Sequence, residues 1–144
     1  MKTLFAVLFL VTVFASFSNS LMAQDNQGNI FVVTTFERAF PKDGSGRELD
    51  SLSALFAENC FAKNEFIVSY NVMRHFWGHS NTDFIQLMEV KSWEDIVKAN
   101  EKIDELFMSN WTTSADRKKF NDAYNKYFTG KHSDEIYSEV VAPK

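Results

Sequence analysis

The chain has 144 residues, with 15 Lys and Arg against 19 Asp and Glu and a net charge of −4. That length supports one core of ordinary domain size, and the mildly acidic balance argues against nucleic acid or an anionic membrane surface as the main partner. A single cysteine, Cys60, excludes an intramolecular disulfide. Stability must come from a core, which 15 phenylalanines help to fill, or from association.

Lys2 is followed by an almost unbroken apolar run, Leu4 to Phe17, and then by Ser18, Asn19 and Ser20. A membrane span needs about 20 apolar residues. The shorter run fits the hydrophobic region of a secretory signal peptide. Residues 1–23 are therefore expected to be removed, with cleavage after Ser20 or after Ala23, and the product to be periplasmic or secreted. No cysteine stands at the end of the run to carry a lipid, so no stable membrane anchor is expected. Residues 24–144 are expected to form a single domain, with a net charge of about −5 once Lys2 is lost.

Ile30–Phe36 is rich in β-branched and aromatic residues and predicts a strand. The turn cluster Pro41–Gly46 ends it. Leu49, Leu52, Leu55, Phe56 and Cys60 then recur at helical spacing, predicting a helix from Arg47 to about Lys63 or Asn64. Phe66–Trp77 and Asp83–Val90 read as a hairpin around Gly78–Thr82. Ser92 caps a second helix, with Asp95 three residues on, and Ile96, Ala99, Ile103, Leu106 and Phe107 form its apolar stripe. After a break at Ser109–Thr112, a third helix is predicted over Ser114–Phe128. Thr129-Gly130-Lys131 stops that helix, and Ile136–Val141 predicts a last short strand.

The order is β-α-β-β-α-(α)-β. It predicts an α+β, ferredoxin-like βαββαβ plan with an extra helix before the last strand, a four-stranded antiparallel sheet and helices on one face. In the first two strands both alternating sets carry apolar residues: Ile30, Val32 and Phe36 against Phe31 and Val33, for example. Strands apolar on both faces need a second cover. With one helical layer available, a second copy of the same sheet is expected, making a homodimer.

The hairpin Phe66–Trp77 and Asp83–Val90, running into Ser92-Trp93-Glu94-Asp95, resembles the dimeric α+β barrel superfamily, which includes antibiotic-biosynthesis-monooxygenase-like domains. The resemblance in plan covers nearly all of residues 24–144. It implies a homodimer whose two sheets pack as a barrel, and a pocket between each sheet and its own helices. Members of that superfamily include cofactor-independent oxygenases, haem-binding or haem-degrading proteins and isomerases, so fold does not settle function. The haem-degrading members use a His on the second helix as iron ligand, and Ser92–Met108 contains none.

His75 alternates in phase with Ser69, Asn71, Met73 and Trp77, a mixture of polar and apolar groups such as pocket walls carry. It reads either as a general base or acid or as a histidine packed at a dimer interface. Asn71 and Trp77 are expected to contact a ligand beside it. His132 lies in the polar run Lys131–Glu135, which can orient a ligand near the sheet edge. His75 and His79 are four apart, about 13 Å along a strand, too far for one ion. No metal set and no cofactor are expected. Glu37, Glu89 and Glu139 sit near strand ends. Two functions remain open. One is an exported protein binding a small apolar or aromatic ligand or a partner. The other is a cofactor-independent monooxygenase-like enzyme.

Overall fold

In the computed structural model residues 28–141 are described, and the signal segment expected at residues 1–23 lies outside them. The fold is that of Asn29–Ser138. Its strands are β1 Ile30–Arg38, β2 Ile67–Arg74, β3 Asp83–Val90 and β4 Phe128–Ser138, and its helices are α1 Gly46–Phe56, α2 Trp93–Asn110 and α3 Ser114–Asn125. The four strands form one antiparallel sheet in the order β2-β3-β1-β4. This is the ferredoxin-like α+β plan, with α3 as the extra helix before the last strand.

Register decides which side chains meet the helices. Ile30 lies opposite Val90, Val32 opposite Met88 and Phe36 opposite Phe84, so one row of β1 and one row of β3 share the helical side. Two clusters form there. Ile30, Cys60, Phe61, Met88, Val90 and Ala99 are buried under α2 and the end of α1, while Leu49, Phe84 and Tyr127 are buried under the start of α1 and the end of α3. The helices are held at their ends by caps that satisfy first-turn amides. Ser45, Ser92 and Thr113 accept from the backbone N–H of Glu48, Asp95 and Asp116.

Tyr127 locks the second cluster. Its hydroxyl donates to Glu48 at 2.5 Å and accepts the Ser45 amide at 2.8 Å. The Tyr127 hydrogen bond, with help from Lys126, holds the Glu48 carboxyl below its usual range. Gly44 is required beneath this contact, because a Cβ there would stand 2.6 Å from the Tyr127 hydroxyl.

The structure departs from the sequence expectation at four boundaries. Helix α1 does not continue regularly to Lys63. It widens into a π turn at Ala57–Phe61, closed by the Ala62 amide on the Ala57 carbonyl at 2.9 Å, and the turn carries Cys60 and Phe61 inward together. Strand β2 ends at Arg74, not Trp77, because its last ladder partner is Phe84. Helix α3 ends at Asn125, three residues early, and β4 begins at Phe128 rather than Ile136.

The β4 difference has a clear cause. Thr129, Gly130 and Lys131 lie opposite Glu37 alone, between the pairs Phe36–His132 and Arg38–Phe128. Residues that read as a helix stop are a β-bulge. Gly130 takes φ of +86°, where a side chain is disfavoured. Glu37 clasps the bulge, accepting from Thr129 Oγ1 at 3.0 Å and lying 3.2 Å from Lys131 Nζ.

All three helices lie on one side. The other face carries Phe31 and Val33 from β1, Ile85 and Leu87 from β3, Met73 from β2 and Tyr137 from β4. None of these joins either core cluster. No helix among the described residues is long and apolar enough to cross a membrane.

Candidate functional site

The helical-side row of β3 reads Phe84, Gln86, Met88, Val90. Phe84 belongs to one core cluster, and Met88 and Val90 to the other. Gln86 is the polar interruption, and a cavity of about 520 Å³ opens there. Its apolar wall is made by Phe36, Phe56, Tyr124 and Phe128, and its polar side by Gln86, Asn125, Thr129, Gly130 and His132. The volume falls within the usual range for small-molecule sites.

The walls are built from five elements. Phe36 comes from β1, Phe56 from α1, Gln86 from β3, Tyr124 and Asn125 from α3, and Phe128 to His132 from β4. The rings are mutually packed. The Phe128 ring lies 5.2 Å from Phe36 and 5.1 Å from Tyr124, while Phe56 lies 6.1 Å from Tyr124. Gln86 Nε2 donates to the Tyr124 hydroxyl at 3.1 Å. Burial pushes the Tyr124 phenol up, and hydrogen bonds from Ser53 and Gln86 partly oppose that shift.

At the rim His132 packs on Phe36 with ring centroids 5.6 Å apart. Its Nε2 lies 3.2 Å from Asp134 Oδ2, and Asp134 Oδ1 accepts from Thr34 Oγ1 at 2.7 Å. Residues 132 and 134 share a strand face by the period of two, and Thr34 is Asp134's partner on β1.

Neither any protein-family profile nor any curated protein sequence matches the chain. Solved structures do match. A candidate antibiotic biosynthesis monooxygenase from Caulobacter crescentus CB15 superposes with a TM-score of 0.52 at 16% identity, covering 80% of this chain and 92% of its own. A DABB-family protein with a ferredoxin-like fold from Mesorhizobium loti gives 0.50 at 14% identity, over 80% and 100%. A variant of SnoaB, a cofactor-independent oxygenase from Streptomyces nogalater, gives 0.50 at 12% identity, over 79% and 95%. This chain has a ferredoxin-like fold. At such identities the likeness is one of fold, and the chemistry rests on the side chains.

Within this fold the residues expected to form a site are scattered. Asn71 lies opposite Leu87 on the face away from the helices, with Ser69 and Met73. The expectation that Asn71 lines the sheet–helix pocket beside His75 is thereby corrected. His75 follows the last residue of β2, and its amide donates to the Asp83 carbonyl at 3.1 Å. It is partly buried in the hairpin loop, with Nε2 enclosed and unpartnered. Trp77 is 89% exposed on the same loop. Val68, an extra residue in the β2–β3 ladder, turns the row of Ser69, Asn71 and Met73 away from the helices, and the strand stops before His75. His132 alone reaches the cavity.

Glu37 and Glu89 stand at opposite ends of the sheet, and Glu89 accepts from Ser69 and Asn29. Cys60 is fully buried, and burial pushes its thiol up to about 11, so it is a packed thiol rather than a nucleophile. Gln86 and Tyr124 join the cavity wall without having been expected there, while Asp134 lies in the polar run expected to orient a ligand. The signal for Gln86 was present, as one polar residue in an otherwise apolar alternating row.

Proposed function

We propose that the chain is an exported protein that pairs as a homodimer and binds a small apolar or aromatic molecule in the cavity between its sheet and helices. The observation that carries this reading is the cavity itself: four aromatic rings face a polar side of Gln86, Asn125, Thr129 and His132. Apolar walls with a few placed polar groups are the general make-up of small-molecule sites.

A thermal-shift screen of one- to three-ring aromatic compounds tests it. A binder at 100 times its Kd should add about 2.7 kcal/mol to stability. Phe128→Leu keeps an apolar side chain of similar bulk but removes a ring from the wall, and it should weaken that binding about tenfold or more. Equal binding by the wild type and this variant, or no binder in the panel, would reject the cavity as the site.

Export is supported by the order of charge, apolar run and small residues in positions 1–23. Secreted material should begin at Leu21 or Gln24 by N-terminal sequencing, and a mature protein retaining Leu4–Phe17 would refute it. A second reading, a cofactor-independent monooxygenase-like enzyme, draws support from the similarity of fold to SnoaB and from the His132–Asp134 pair at the rim.

A further inference from the structure

We propose that His132 accepts the proton of an ionisable hydroxyl on the bound aromatic molecule, with Asp134 as its positioning residue. This rests on the cavity-binding reading above and adds a chemical step to it.

Of the residue types that line the cavity, histidine is the one that exchanges protons near neutral pH. Among the other polar groups, the Gln86 amide serves Tyr124, the Thr129 hydroxyl serves Glu37, and Asn125 carries no ionisable group. His132 is set by three contacts. Asp134 holds Nε2 at 3.2 Å, Phe36 supports the ring, and Thr34 fixes the carboxylate from the neighbouring strand at 2.7 Å. A carboxylate at Nε2 selects the tautomer with its proton there and leaves the lone pair on Nδ1. This arrangement of base and orienting carboxylate is the general requirement for positioned proton transfer.

The charges near this wall include Glu37 and Lys131, which pair with one another at 3.2 Å across the bulge, and Arg38, the ladder partner of Phe128, whose guanidinium stacks on Phe40. From α3 the wall receives Asn125, which is uncharged, and Tyr124, whose phenol burial keeps protonated. Asp134 is thus the anion in contact with the imidazole.

The step balances within the site. The hydroxyl O–H bond breaks, its electron pair stays on oxygen, and a new N–H bond forms at Nδ1. The resulting imidazolium faces the Asp134 carboxylate, and the ligand oxyanion lies beside the cation. An opposite charge at such range favours the ionised ligand.

Two chromophoric probes, 4-nitrophenol and 4-nitro-1-naphthol, report the protonation state of the bound molecule by absorption. Their methyl ethers serve as ligands of the same shape with no proton to give. At a pH below each free probe's own pKa, the full mature protein should raise the phenolate fraction of the bound probe at least about tenfold over solution. His132→Gln should abolish that gain, read at saturating probe so that a change in affinity does not enter. Asp134→Asn should lose most of the gain at saturating probe, a spectroscopic change that a purely structural role would not produce. His132 and Asp134 are exposed strand residues, and both variants should keep the wild-type far-UV spectrum and melting temperature.

Binding of both probes with no phenolate enrichment in the wild type would overturn the proposal and leave the cavity reading intact. So would enrichment that survives His132→Gln. Failure of the wild type to bind any of the four molecules would remove the cavity reading, and this proposal with it.

Discussion

Leu87→Arg should leave the chain folded and convert the proposed homodimer to a monomer. Leu87 sits on an inner strand, between Asn71 of β2 and Val33 of β1, on the face opposite α1, α2 and α3. With Phe31, Val33, Ile85, Met73 and Tyr137 it forms the apolar part of that face, beside the polar Ser69, Asn71 and Glu89. Four strands about 4.8 Å apart and some eight residues long present about 500 Å² of sheet on each copy. Two such faces together reach about 1,000 Å², the lower end of a specific interface.

A two-fold pairing would carry the substitution twice. An unpaired guanidinium buried in a dry interface costs several kcal/mol, and about 4 kcal/mol already raises a dissociation constant roughly thousandfold. Size-exclusion chromatography with light scattering at micromolar concentration reads the result, and circular dichroism checks the fold. A wild-type protein that runs as a monomer, or a variant that remains dimeric, would show that this face is not the interface.

The largest loss of stability should come from Phe84→Ala. Phe84 is 1% exposed and packs in the cluster with Leu49 and Tyr127, its ring 5.2 Å from Phe128. Truncating a buried Phe removes its transfer free energy and leaves a cavity, at a cost of about 3–5 kcal/mol. A domain of this kind has about 5–15 kcal/mol in all, so the variant should lie close to unfolding. In urea, with a slope of about 1–3 kcal/mol/M, the midpoint should fall by about 2 M. Phe76→Ala is the matched control, since Phe76 is 99% exposed in the hairpin loop. It should change stability by less than about 0.5 kcal/mol. Equal losses from the two substitutions would contradict the placement of both rings.

Much of the architecture was legible because it is local. The stripe Ile96, Ala99, Ile103, Leu106 and Phe107 predicted a buried helix face from spacing alone, and all five join the first core cluster. Ser92 showed as a cap because capping needs only the next three residues. The two-sided apolar pattern of β1 followed from its own alternation. The element order then left few topologies to choose among.

The placement of candidate residues was not local in that sense. Residues 128–135 of β4 are mostly polar and exposed, so no apolar period marks them, and they become a strand through pairing with β1. That pairing turns the polar run around His132 from a loop into a wall, and it brings Thr34 to Asp134 across 100 positions of sequence. One extra residue at Val68 sets the phase of β2 and decides that Asn71 faces away from the helices, since a slip of one residue exchanges the faces of a strand. The sequence by itself determined the order of the elements and the two-sided apolar pattern of β1, because periodicity and capping act within a few residues. The tertiary structure alone decided where the cavity lies and which histidine reaches it. Those facts depend on ladder register and on the meeting of five elements, and neither is written in any one segment.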